Sequence, residues 1–223
     1  MLVFYYDISM KQKIVTLIIV LAALCGAGHA SAQFRWGATA GININDFKFK
    51  QSGILTVDKG IGESAGINGE MMFPGIGFGI DIGLLYNQMG AKADIGSREI
   101  WRADGFGNEN IYVHTLDIPV HLRFKWTRMM GFEDYLAPFV YGGPDFSIQV
   151  GHNSIKGNEG APNPFRYSGG DIGLTAGGGA EIFKRWQVSL QYTWGMSNVL
   201  KTRKLDNLTA RNREWAVRVA YMF

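Results

Sequence analysis
From Phe34 onward the chain alternates apolar with polar or small side chains at a period of two, in eight separate stretches. FRWGATAGINI puts Phe34, Trp36, Ala38, Ala40, Ile42 and Ile44 on one side and Arg35, Thr39 and Asn43 on the other. SAGINGEMMF opposes Ile67, Met71 and Phe73 to Asn68 and Glu70, and GFGIDIGLLYNQ opposes Phe78, Ile80, Ile82, Leu84 and Tyr86 to Asp81 and Asn87. YVHTLDIPVHLRFKW sets Tyr112, Leu116, Ile118, Val120, Leu122 and Phe124 against Asp117, His121, Arg123 and Lys125. The pattern returns over 138–150, 171–183, 186–196 and 213–223, where Trp215, Val217, Val219, Tyr221 and Phe223 share one parity. A strict two-residue period means strands with one oily and one mixed face, and no stretch reads better at the helical period.

The connections alternate as well. Segments near 46–62, 91–110, 151–168 and 198–212 are long and polar, Pro74-Gly75 and Lys184-Arg185 are tight turns, and 127–135 is intermediate. An even strand count with alternating short and long connections predicts an all-β fold, an eight-stranded antiparallel transmembrane β-barrel. Its short turns would be periplasmic, its four long loops external, and both termini periplasmic. A soluble eight-stranded barrel alternates too, but it is apolar inside. Here the apolar parity is nearly free of charge, whereas the other collects Arg35, Glu70, Asp81, Asp117, Arg123, Lys125, Glu181 and Arg218. Facing lipid, each such charge would cost about 2–4 kcal/mol near the midplane. Aromatics also gather near strand ends, as interfacial girdles require. Closure satisfies every backbone group in hydrocarbon, so the first and last strands must pair. Phe223 then belongs to the lipid-facing parity, and it matches the carboxy-terminal signature by which barrel-insertion machinery sorts its clients.

MKQKIVTLIIVLAALCGAGHASAQ begins at Met10 with Lys11 and Lys13, continues with an apolar run, and ends in Ala30-Ser31-Ala32. That layout predicts a signal peptide over residues 1–32, with Met10 the expected true start and 33–223 the barrel domain. The apolar run of roughly 15 residues falls short of the roughly 20 a spanning helix needs. Cys25 is the only cysteine and lies inside this segment, with bulky Leu24 before it where a lipidation site expects a small residue. A mature chain without cysteine has no disulfide.

Net charge is +3, and no basic tract interleaved with aromatics points to nucleic acid. The inward charges, with His121, form the candidate site. They read either as a polar pathway down the axis or as a salt-bridged plug, and an eight-stranded barrel is wide enough inside only for its own side chains. A His121–Asp117 dyad with Ser147 or Ser189 would be needed for lipid-modifying catalysis. The chain has no H-E-x-x-H and no cysteine pair, and neither a cofactor nor a metal is expected. Pro119 and Pro144 break the rule against proline in central strands, and Pro119 is expected to mark a bulge. Lys201 to Lys204 form a basic run that could meet lipopolysaccharide phosphates, or remain a solvated loop.

FRWGATAGININ, GFGIDIGLLYNQMGAK, TLDIPVHLRFKW, APFVYGGPDFS, DIGLTAGGGAEI and the final AYMF resemble the PorT-like, porin-family outer-membrane β-barrel domain of Bacteroidota. LDIPV followed by YGGP is the more specific part. The resemblance implies a Gram-negative outer-membrane location and lipid and lipopolysaccharide as surroundings. The family has no single shared activity, and the member that names it is tied to gliding-type secretion. The expected role is therefore non-enzymatic, structural or interactional, with envelope proteins as partners. A narrow porin, a secretion accessory and a lipid-modifying enzyme are the alternatives.

Overall fold
The computed structural model describes residues 33–49, 56–75, 77–94, 99–153, 155, 158, 165–167, 169–202 and 209–223. The expected signal segment lies outside them, as do Arg203 and Lys204 of the basic run. Eight strands form the wall. They are β1 (Gln33–Phe49), β2 (Thr56–Met72), β3 (Phe78–Asp94), β4 (Asn108–Lys125), β5 (Leu136–His152), β7 (Gly170–Ile182), β8 (Trp186–Gly195) and β10 (Thr209–Met222). Each pairs antiparallel with its neighbour, and β10 returns to β1 from Gly37–Met222 up to Phe49–Ala210. Two short strands, β6 (Phe165–Tyr167) and β9 (Leu200–Thr202), pair with each other, and β9 adds to the top of β10. A single helical turn, α1 (Glu99–Arg102), lies between β3 and β4.

Following cross-strand partners from Ile44 leads through Trp215, Tyr192, Ala176, Gly142, Leu122, Ile80 and Met71. The path returns to β1 at Phe34, ten residues from its start. With about 3.3 Å per residue and about 4.8 Å between strands, that shear over eight strands tilts them by about 40°. Trp215 and Phe223, eight residues apart on one face, then stand about 20 Å apart along the axis, close to the about 25 Å of an outer-membrane apolar band. Between these levels the outward parity is apolar and exposed, as at Ile42 (63%), Ile67 (55%) and Leu190 (51%).

Beyond the upper aromatic level the strands continue, and the two faces exchange character. Phe47, Met89, Ala91, Ala93, Ile111, Val113 and Ala210 point inward and are buried, joined by Phe106, Ile155 and Val199. Lys48, Lys92, Asn110 and Arg211 are exposed at this end. Much of the expected long polar loops is therefore strand, closed over a small apolar core. The physical reason is the change of solvent. Once the outside is water, burial favours apolar groups within, as in a soluble barrel.

The expected bulge at Pro119 is not there. Ile82–Val120 and Leu85–Asp117 keep one register across it, though the intervening pairs are missing. The β4–β5 ladder is likewise interrupted beside Pro144, because a proline has no N–H to give. Gly83 makes room for the Pro119 ring, since a Cβ there would come within 3.1 Å of Pro119 Cγ. The register shifts instead between His114 and Thr115 on β4 and between Lys59 and Ser64 on β2.

Candidate functional site
The inward parity of seven strands converges on Glu70, which is fully buried. At its Oε1 the carboxylate accepts from Arg35 at 2.8 Å and Lys125 Nζ at 2.5 Å, and at its Oε2 from Arg123 at 3.0 Å and Gln187 at 2.7 Å. Glu181 Oε2 takes the same Arg35, Lys125 and Gln187 at 2.5, 2.9 and 2.8 Å. Arg123 also donates Nε to Asp81 at 2.6 Å, and its guanidinium lies 4.1 Å over the Phe139 ring. Three carboxylates thus meet three cations near the short-turn end, where Asp81 Oδ1 is buried without a donor but both oxygens of Glu70 are saturated. Such saturation is the condition under which buried charge is tolerated. Arg35 reaches past the cluster to the Lys184 carbonyl at 2.7 Å, tying it to the β7–β8 turn.

Asp117, His121 and Arg218 lie outside that cluster. Asp117 accepts from Asn87 at 2.9 Å, and the same amide reaches Glu214 at 3.1 Å. Asn43 donates to Asn87 at 2.5 Å and receives from Asn45 at 2.8 Å, which completes a polar layer one level above. His121 Nε2 stands 3.2 Å from Asp145, near enough for an ion pair but out of line for a hydrogen bond. Its ring stacks on Tyr141 at 5.3 Å, and Asp145 takes the Thr175 hydroxyl. Arg218 sits between the two layers with its Nε unbonded. It borders a cavity of about 60 Å³, with Thr39, Asn68, Tyr141 and Gln191, and a smaller one of about 20 Å³, with Asp117, Asp145 and Glu214. These spaces hold a few waters at most. Glycines set how closely the lumen packs: a Cβ on Gly41 would lie 2.8 Å from Arg218 Cγ, and one on Gly177 2.7 Å from the Tyr141 ring.

Sequence reasoning passed over Gln187, Asp145, Asn87 and Glu214. Their parity was readable, but which of them meet depends on the stagger between strands. The described residues contain no group of three His, Cys, Asp or Glu placed to hold a metal ion.

A tilted, closed cylinder with an exposed apolar belt, two aromatic rims and a charged, packed lumen is an integral membrane β-barrel. The outer membrane protein beta-barrel domain profile matches residues 28–201, and the chain belongs to that family, which resides in the outer membrane. Among solved structures it is similar to the outer membrane protein OprG of Pseudomonas aeruginosa, at 12% identity and TM-score 0.49 over 88% of this chain and 98% of that one. It is also similar to Ail, the attachment invasion locus protein of Yersinia pestis, at 12% identity and TM-score 0.43 over 86% and 99% of the two chains. Neisserial surface protein A follows at 10% identity and TM-score 0.43, over 83% and 96%. No curated protein matches the chain.

Proposed function
We propose that this barrel is a sealed outer-membrane element with a structural or interactional role, and that it neither conducts nor catalyses. Its short turns and both ends of the barrel domain face the periplasm, and its long connections face outward. The observation that carries this reading is the pair of closures in series: the Glu70-centred ion network at one end of the lumen and the apolar core around Ile111 and Val113 at the other. A hydrated ion would have to part several charge-assisted bonds and then cross an apolar layer. His121 lies against a carboxylate and a stacked phenol ring, and the nearby Thr175 hydroxyl is already given to Asp145, an arrangement that favours a packing role. LDIPV and YGGP favour the PorT-like group of Bacteroidota. Strand β10 with Phe223 serves recognition by the insertion machinery, and the outward connections offer surface to envelope proteins.

Planar-bilayer reconstitution of the refolded chain tests this reading. The sealed barrel gives no steady current, whereas reproducible ion-selective steps would replace it with a narrow porin.

A further inference from the structure
Just above the upper aromatic level, the β1–β10 seam carries an arrangement that strands ordinarily avoid. Lys48 and Arg211 are direct cross-strand partners, and both are exposed on the outer face. Like charges directly opposite one another repel. Arg213 stands two residues nearer the belt on the same face, opposite Asp46. Among the described residues, no carboxylate lies within 4.0 Å of any of the three cations. Directly below are the exposed pairs Ile44–Trp215 and Ile42–Val217. With about 2.5 Å of height per tilted residue, Arg213 lies about 5 Å above the Ile44–Trp215 pair, and Lys48 and Arg211 about 10 Å above it.

We infer that Lys48, Arg211 and Arg213 form a site for the phosphorylated headgroup of an outer-leaflet lipid whose acyl chains lie on the apolar strip beneath. The inference rests on the orientation proposed above. Two opposed cations at this separation are relieved by one shared anion, and the arginine fork suits a phosphate's oxygens bidentately. Asp46 and the exposed Glu63, which stands opposite Ile42 on β2, offset two charges, leaving the patch net cationic. A lipid bound there would also brace the seam at which the cylinder closes.

The test uses the full chain folded in zwitterionic detergent and titrated with purified lipopolysaccharide, its dephosphorylated derivative and inorganic phosphate, followed by tryptophan fluorescence. The intact glycolipid is expected to bind, and Lys48→Ala with Arg211→Ala to weaken it about tenfold or more. Lys48→Arg should retain binding, and Lys92→Ala, which removes an exposed cation on β3, should leave it unchanged. Equal binding of the dephosphorylated lipid, an unaffected double variant, or a loss as large in Lys92→Ala would each overturn the site. Competition by inorganic phosphate at the same concentration would overturn the lipid as its ligand. Heat-modifiable gel mobility of each variant reports barrel closure separately. A folded barrel that does not bind therefore counts against this site, and a chain that does not fold in detergent counts against the barrel reading.

Discussion

Phe223 stacks on Trp36 with ring centroids 4.4 Å apart and planes 30° from parallel, while its N–H donates to the Trp36 carbonyl at 2.8 Å. One residue at each side of the closing seam is thus held by both a backbone bond and a ring contact. Tyr221 extends the contact, 5.3 Å from Phe223 and 4.9 Å from Trp186, and its hydroxyl receives Arg185 at 2.7 Å. The aromatic rim at this end is therefore continuous across β8, β10 and β1, the strands that must join last if the wall closes at that seam.

A stacked aromatic pair adds about 1 kcal/mol beyond its burial. A double-mutant cycle of Trp36→Ala and Phe223→Ala, read by urea unfolding in lipid vesicles, should return a coupling of about that size. Additive effects would show that the two rings act independently.

Glu70 is the keystone of the ion cluster, because four donors converge on a side chain with no access to water. Removing one partner of a buried charge network leaves the others uncompensated, at about 3–5 kcal/mol. Glu70→Ala should lose stability on that scale in vesicle unfolding. Adding Lys125→Met should recover part of the loss, since it withdraws one of the stranded cations. A Glu70→Ala barrel as stable as the wild type would remove the cluster from the account of stability.

The sequence showed the barrel wherever one solvent rule held throughout a strand. From Trp215 to Phe223 lipid lies outside and polar atoms inside, so parity alone separates the faces. Phe47, Ile111 and Val113 obey the opposite rule, because they lie above the belt where water replaces lipid. Nothing in a two-residue period marks the height at which that exchange occurs. Which inward charges meet was hidden for another reason. Arg35 reaches Glu181, 146 residues away, through a ten-residue shear that no single strand encodes. Pro119 misled because a proline in a wall predicts a bulge, whereas Gly83 beside it accommodates the ring without shifting the register.

Lys184 occupies the left-handed region at φ 60° in the turn between β7 and β8. An L side chain there costs about 1–2 kcal/mol relative to glycine. Its bridge to Asp134, at 2.6 Å, joins two groups that are both more than half exposed and gives little in return. Lys184→Gly should therefore stabilise the barrel by about 1 kcal/mol in the same unfolding assay, since the carbonyl that holds Arg35 is kept. Unchanged or lower stability would mean that the bridge outweighs the backbone strain.

The exchange of faces above the belt is testable at two residues on one strand. Val113 and Thr115 both point inward on β4 and are both buried, but Val113 sits in the apolar cap with Ile111 and Met89, whereas Thr115 lies beside the Asn87 and Asp117 layer. An amide placed in the cap without a partner costs about 1–3 kcal/mol, and the apolar contact of the valine is lost with it. With the long connections facing outward as proposed, Val113→Asn should therefore loosen them, giving faster cleavage there by protease added to intact cells, while heat-modifiable mobility persists because the membrane-spanning wall is untouched. Thr115→Val removes a hydroxyl, with its bond to the Asn87 carbonyl, from a polar layer below the cap, and cleavage should stay at the wild-type rate. Equal cleavage rates in the two variants would mean that the cap does not hold the outer end closed.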